Sequence, residues 1–273
     1  MTWPQKIAEW LVEEKEENLT TVDGKPIKVF SFNYDSNDSE TMSAWAKHFR
    51  NHYCQDEMID IFRKGTQYSR KEFLEKLIFP SKTSRPGPST CSGDFAEILI
   101  CDYFEYVLKY WVPRTKYDNK QNNNTSSQGS DIIGFKFIQE VESPKDILAV
   151  IEAKAAFSNK QKGNRLEDAI KDSSKDINRL AISLHAIKRR LIEKGKLEES
   201  LKVERFQNPV DNPYIKKYGA AALFSIDSYD ETKIQIINTS NHIDASNLIL
   251  LVVKGKDMMN LVYELYRRAA DEA

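Results

Sequence analysis

The sequence has few cysteines, no long apolar run and almost no net charge, and each absence excludes a class of protein. Its 3 cysteines form no CxxC pair, which argues against a disulfide framework or structural zinc site and favours a reducing compartment. No stretch approaches the roughly 18 apolar residues of a membrane-spanning helix. The start of the chain turns acidic at residues 13–17, unlike a signal peptide. We therefore expect a cytoplasmic protein that does not enter a membrane.

The charge balance excludes a chain that attracts nucleic acid through its overall field. Lys and Arg number 40 against 41 Asp and Glu, for a formal net charge of −1. Any DNA binding must then depend on local basic patches or on a partner. The 273 residues, 40% of them hydrophobic, suffice for one large core and make bulk disorder improbable.

A stretch rich in serine, proline and glycine at residues 81–90 predicts a boundary. Residues 1–88 would form an N-terminal α+β extension and a candidate partner surface, and residues 89–273 the catalytic core. The order of helical and strand-like segments in the core predicts an α/β fold with a mixed sheet flanked by helices. The elements expected there are a helix at 93–108, a short strand at 110–114, a mobile polar loop at 116–127, strands at 129–137 and 146–155, a long helix at 164–194, strands at 220–226, 233–237 and 247–253, and a helix at 257–270.

Two of these strands carry the residues most typical of catalysis. Asp131 opens the first, and Glu152 and Lys154 end the second on one face, with Ala153 on the other. Charges at the end of a buried strand are costly unless they are paired or bind a metal. Asp131, Glu152 and the Ala153 carbonyl are oxygen ligands suited to Mg²⁺ or Mn²⁺. Lys154 would orient a water and counter charge on a phosphate, so the pattern indicates a metal-dependent phosphodiesterase.

A structural ion pair at a strand end is the alternative interpretation, because acid-x-Lys spacing is common. Four other pairs in the chain satisfy it, namely Glu13/Lys15, Asp23/Lys25, Asp118/Lys120 and Glu231/Lys233. Only Glu152/Lys154 ends a strand that is apolar on both faces and follows another apolar strand bearing an acid. Motif matches of this kind require geometry to decide them.

Together these residues resemble the PD-(D/E)xK nuclease superfamily, in which a helix carries an acid, a strand carries Asp and the next strand carries Glu-x-Lys. Glu97, Asp131, Glu152 and Lys154 match that pattern, and Ser130 replaces its proline. More narrowly, residues 93–97, 129–135 and 151–155 resemble the HamA family, the nuclease subunits of Hachiman anti-phage systems. The resemblance covers roughly residues 90–270.

The resemblance implies a Mg²⁺-dependent deoxyribonuclease controlled by a superfamily 2 helicase subunit, HamB. It also implies a catalytic role for Glu97, as a contact to a water on the metal. Without it, Glu97 is an acid near a helix start, where carboxylates are favourable. Two other functions stay open: a stand-alone restriction or repair endonuclease, and a non-catalytic regulatory subunit that keeps a nuclease-like fold.

Basic and histidine residues give weaker signals. Lys160, Lys162 and Arg165 follow the Lys154 strand and are candidates for contacting a DNA backbone, although a solvated loop explains them equally well. His48 and His52 stand four apart, as in a zinc-binding pair, but no third ligand is evident and we interpret them as a surface pair. His185 is interpreted as a helix residue without a metal role.

Overall fold

A mixed six-stranded sheet is the centre of the computed structural model, which describes residues 3–15, 19–120, 122–124, 129–158 and 164–273. The strands are β1 (Leu11–Glu13), β2 (Ile27–Phe32), β3 (Ile132–Lys136), β4 (Ile147–Ala156), β5 (Ile215–Ser225) and β6 (Ile249–Gly255). Their order is β1-β2-β6-β5-β4-β3. The four inner strands run parallel, and β1 and β3 pair antiparallel at the two edges. The predicted mixed sheet is confirmed.

Helices cover both faces of the sheet. The helices are α1 (Gln5–Trp10), α2 (Ser39–Tyr53), α3 (Asp56–Phe62), α4 (Arg70–Phe73), α5 (Gly87–Asp102), α6 (Arg165–Glu193), α7 (Leu197–Glu204), α8 (Glu231–Gln235) and α9 (Met258–Asp271). Apolar residues of α2, α5 and α9 share one buried cluster, and those of α6 and α7 share the cluster on the opposite face. None of the helices in the described part of the chain is long and apolar enough to cross a membrane.

Strand β4 alternates between these two layers. Leu148 and Val150 belong to the cluster under α6, whereas Ala149, Ile151 and Ala153 belong to the cluster under α5. The alternation places Glu152 and Lys154 on the α6 side of the sheet. Their partners in the parallel register with β5 are Ala220 and Ala222, whose small side chains leave space for two long charged ones.

The sheet and its core extend across residue 88. Strands β1 and β2 come from the predicted N-terminal extension, yet β2 pairs with β6 along its whole length. Trp45 of α2 and Phe95 of α5 lie in contact, with ring centroids 5.8 Å apart. Helix α2 also packs against α9 near the end of the chain. One apolar layer therefore contains residues from both predicted regions.

Several predicted elements differ from the structure. The strand expected at 233–237 is wrong, because Asp230 accepts a hydrogen bond from the Lys233 backbone and starts α8 instead. The strand expected at 110–114 is reduced to one bridge between Trp111 and Phe135. Helix α5 begins at Gly87 inside the predicted linker, with a proline in its first turn, where proline is tolerated.

Removal of the Phe95 ring tests whether this shared layer unfolds as one unit. Phe95 is 1% exposed and contacts Trp45, Phe49 and Phe157. We expect Phe95→Ala to lower the free energy of unfolding by about 3–5 kcal/mol, the usual cost of deleting a buried ring. Urea unfolding followed by tryptophan fluorescence and by circular dichroism should give one coincident transition. Ile182→Ala, at a side chain 72% exposed, is the control; a loss below about 1 kcal/mol for Phe95→Ala would contradict the packing.

Candidate active site

The antiparallel pairing of β3 with β4 brings the first two predicted site residues together. Ile132 is the partner of Ile151, so Asp131 and Glu152, one step beyond that pair, meet at the same end of the two strands. The Asp131 Oδ2 atom accepts a hydrogen bond from the Ala153 backbone at 3.1 Å. The Ala153 side chain faces the opposite layer. Asp131 is thereby fixed beside the end of β4.

Glu152 and Lys154 form a bonded pair that also reaches α6. The Lys154 Nζ atom lies 2.6 Å from Glu152 Oε1 and 2.9 Å from Asp172 Oδ2. Glu152 is 6% exposed. Burial, together with the neighbouring Asp131 carboxylate, raises the pKa of Glu152 to about 8. At the strand end Lys154 therefore lies between two acids, and the raised pKa of one of them, Glu152, opposes its ionisation.

Glu97 approaches the same place from α5. Lys116 Nζ lies 2.5 Å from Glu97 Oε2 and 2.8 Å from Asp131 Oδ1, so one ammonium bridges both acids. The Tyr117 hydroxyl donates to Glu97 Oε2 at 2.5 Å. Burial and Asp131 raise the pKa of Glu97 to about 7. Burial opposes the charge of Asp131 as well, but the contacts with Lys116 outweigh it and lower the pKa of that carboxyl.

Lys116 belongs to a run of residues that we call the cationic segment, residues 114–120. This segment runs antiparallel to α5 and to the π-helical turn that follows it, Tyr103–Val107. Arg114 pairs with Asp102 at 2.7 Å and with Glu105, Lys116 with Glu97, and Lys120 with Asp94. The prediction of a mobile polar loop over 116–127 is therefore wrong for its first residues, because buried acids on α5 attract its lysines.

A comparison with protein families gives a match along nearly the whole chain. The model of the HamA family matches residues 6–269, a span that begins within α1 and ends within α9. The chain belongs to the HamA family. A search of curated proteins finds no match.

Glu97 lies further inside its helix than the sequence of this HamA-family chain predicts. The predicted helix began at residue 93, whereas α5 begins at Gly87 and places Glu97 well inside it. The interpretation as an acid that favours a helix start is therefore wrong. Glu97 is 6% exposed and is held by Lys116 and Tyr117. The structure thus joins Glu97 to Asp131, Glu152 and Lys154.

The predicted DNA-contacting residues receive less support from the geometry. Lys160 and Lys162 lie outside the described residues. Arg165 is the first residue of α6, and its Nη1 atom lies 2.8 Å from Asp168 Oδ2, on the same helix. A contact between Arg165 and a DNA backbone stays a prediction.

Four residues at the site were not found from sequence. Lys116 and Tyr117 come from a polar stretch that carries no pattern. Asp172 and Asp176 stand four apart on α6, a spacing that puts them on one helix face and was the available signal. The Ser130 hydroxyl donates to Asp176 Oδ1 at 3.0 Å. Burial, with Asp131 nearby, raises the pKa of Asp176 to about 6.

The histidine pair is a second cluster, and its interpretation as a surface pair is wrong. His48 and His52 are 2% and 4% exposed. Their Nε2 atoms are 3.2 Å apart and lie 2.9 Å and 3.8 Å from Asp102 Oδ1. The three side chains form a buried group that could hold a metal ion. His185 is exposed, on α6.

Arg114 competes for the same atoms of the histidine cluster. Its guanidinium donates to His52 Nε2 at 2.7 Å and contacts Asp102 Oδ1 at 2.7 Å. Burial and this guanidinium lower the pKa of His52 well below its usual value, so His52 is neutral. In this structure the cluster is a hydrogen-bonded network around one arginine.

The raised pKa of Glu152 predicts how stability depends on pH. A folded pKa of about 8, against a usual 4.5, means that ionisation of Glu152 lowers stability progressively as pH rises between those values. In EDTA, Glu152→Gln should therefore unfold less readily than wild type at pH 9. The gain should be on the order of 2 kcal/mol. Each unit by which the pKa is raised is worth about 1.4 kcal/mol, and part of the total is offset because Lys154 loses one partner. It should shrink toward pH 5.

Asp172→Asn is the matched control and should act in the opposite direction. Burial disfavours the charge of Asp172, but Lys175 and Lys154 lower its pKa, so its ionised form stabilises the fold above its unfolded pKa. The asparagine variant should unfold more readily than wild type at pH 9. Urea titrations at pH 5, 7 and 9 measure both effects, and a destabilised Glu152→Gln at pH 9 would contradict the assignment.

Proposed function

We propose that the chain is a metal-dependent deoxyribonuclease of the PD-(D/E)xK type, acting in Hachiman anti-phage defence under the control of a superfamily 2 helicase partner. The observation that carries the proposal is the meeting of Asp131, Glu152 and Lys154 at one strand end. Membership of the HamA family supports the defence role. A net charge of −1 supports a subunit whose DNA affinity comes partly from its partner.

The residues present fit a hard divalent cation. Glu97 and Glu152 are buried oxygen donors and Asp131 beside them is partly buried. Burial, and after it the Asp131 carboxylate, raises the pKa values of Glu97 and Glu152. Asp131, Glu152 and the Ala153 carbonyl would hold Mg²⁺ or Mn²⁺, and Glu97 would bind a water on it. When bound, such an ion lowers the pKa of a water and neutralises charge on phosphate.

Lys154 is the residue that would act on the nucleophile. Its ammonium is held by Glu152 on one side and by Asp172 on the other, which fixes its direction relative to the strand end. From there it orients the attacking water and offsets the charge that develops on the phosphate. Asp172 keeps Lys154 in place, so its role is positional.

A second candidate function is a regulatory subunit with a nuclease-like fold that does not cut. The observation in its favour is the complete pairing of the site, since Glu152, Lys154, Glu97 and Asp131 all have bonded partners here. Structural ion pairs would look the same. A stand-alone endonuclease is distinguished differently, because it would cut DNA without the helicase.

Loss of Glu152 and Lys154 together tests the nuclease. Plasmid and linear DNA are incubated with Mg²⁺ and either wild type or Glu152→Ala/Lys154→Ala, with and without the helicase subunit. We expect the double variant to lose at least about 100-fold in cleavage rate, the usual cost of removing charge-stabilising groups. Glu231→Ala/Lys233→Ala has the same residue types and spacing, on α8, and should cut like wild type. Equal rates for both double variants would favour the regulatory subunit.

Glu97 should matter less than Glu152. Because Glu97 would bind a water on the metal, Glu97→Gln is expected to lower the cleavage rate roughly 10-fold to 100-fold, as for other residues outside the metal's own ligands. Glu152→Gln should lose more under the same conditions. Single-turnover cleavage at saturating Mg²⁺ compares the two, and a larger loss for Glu97→Gln would make Glu97 a direct ligand.

A further inference from the structure

Lys116 occupies the place where two acids of the proposed metal site converge. Its ammonium lies 2.5 Å from Glu97 Oε2 and 2.8 Å from Asp131 Oδ1, and its side chain is 15% exposed. The other Asp131 oxygen accepts the Ala153 backbone N–H. Both oxygens of Asp131 are therefore engaged by groups of the chain itself.

A divalent cation and this ammonium would compete for the same carboxylates. Magnesium binds its oxygen ligands at about 2.0–2.1 Å. An ion bound to the Asp131 Oδ1 atom would therefore lie within about 5 Å of the Lys116 Nζ atom, and the two like charges would repel each other in a largely buried site. Lys154 contacts one proposed ligand, Glu152, but its second partner is Asp172, outside the proposed ligand set, whereas Lys116 bridges two acids of the site.

Contacts on both sides keep Lys116 in this position. Arg114, two residues before it, is bound to Asp102 and Glu105 and has a backbone φ of 26°, in the left-handed region. Lys120, four residues after it, is bound to Asp94, and both side chains are 4% exposed. A left-handed conformation at a non-glycine residue persists only where surrounding contacts hold it.

The chain just beyond the cationic segment is tied to residues before residue 88. Asn123 Nδ2 donates to the Phe79 carbonyl at 3.0 Å, and Asn124 Oδ1 accepts from the Ser81 backbone at 2.7 Å. A partner that displaced residues 79–81 would therefore pull on the chain that carries Lys116. These hydrogen bonds connect the N-terminal region to the part of the chain that follows Lys116.

We propose that Lys116 is a built-in competitor of the divalent cation, which must leave the Glu97–Asp131 gap before the metal binds fully. This inference rests on the proposed function, because it concerns the same metal site. It makes the structure described here the closed form of the nuclease, and it gives a partner a way to open the site without adding a catalytic residue.

Manganese binding measures the competition without any need for DNA cleavage. Free Mn²⁺ is followed by electron paramagnetic resonance during titration of wild type, Lys116→Met and Asp131→Asn. We expect Lys116→Met to bind Mn²⁺ at least about 10-fold more tightly than wild type, and Asp131→Asn to bind more weakly. Lys71→Met is the control, because it removes an equal charge from an exposed pair with Asp271 and should match wild type. An unchanged or weaker affinity for Lys116→Met would overturn the inference.

A second pair of variants controls for the destabilisation expected when the loss of Lys116 leaves two acids without their shared partner. Circular dichroism first checks that Lys116→Met is folded. Glu97→Gln/Lys116→Met is then compared with Glu97→Gln, since the glutamine removes one of the two stranded charges. The lysine substitution should again tighten Mn²⁺ binding about 10-fold, and an unchanged constant would overturn the inference here too.

The two proposals fail in different ways. If Asp131→Asn weakens Mn²⁺ binding while Lys116→Met leaves it unchanged, the metal site stands and the role of Lys116 is overturned. If neither wild type nor Lys116→Met binds Mn²⁺ more tightly than Asp131→Asn does, the metal-dependent nuclease is overturned. The proposed role of Lys116 is then overturned with it.

Discussion

The arrangement of α5 depends on the pairing of its buried acids with the cationic segment. Asp94, Glu97 and Asp102 are 3%, 6% and 0% exposed, and an unpaired carboxylate at such depth is prohibitively costly. Lys120, Lys116 and Arg114 meet these acids in reverse order along the chain. Because each pair is largely buried, breaking one leaves an uncompensated charge. The segment is thereby fixed against the helix, although little of its sequence is apolar.

This charged layer is continuous with the aromatic core that lies beside it. The Tyr53 hydroxyl donates to Asp94 at 2.6 Å and the Tyr117 hydroxyl donates to Glu97, while both rings pack within the apolar cluster. Tyr53 comes from α2, before residue 88, and its ring also contacts Tyr266 of α9. Helix α2 is therefore connected to the charged layer through a hydroxyl group as well as through packing.

Strand periodicity made three residues of the site predictable. Asp131, Glu152 and Lys154 could be placed together because side chains alternate along a strand and adjacent apolar strands pair. Lys116 could not be, since a lysine in a polar stretch has no periodicity and its partner Glu97 is 19 positions away. The burial of His48 could not be predicted for the same reason, because its hydrogen-bond partner Asp102 is 54 positions away. Long-range charge pairing leaves no local trace in a sequence.

Carboxyl groups with raised pKa values gather at the strand end that holds the candidate site. Around it, five acids within the described residues meet Lys116 and Lys154, while Lys175 is bound to Asp172 and Arg179 lies near Asp176; the acids are Glu97, Asp131, Glu152, Asp172 and Asp176. The raised pKa values of Glu97, Glu152 and Asp176 follow from burial first and then from the neighbouring Asp131 carboxylate. Ionisable groups whose pKa values are shifted by burial and by a like charge are typical of functional sites. The divalent cation of the proposed function would offset the charge of these acids.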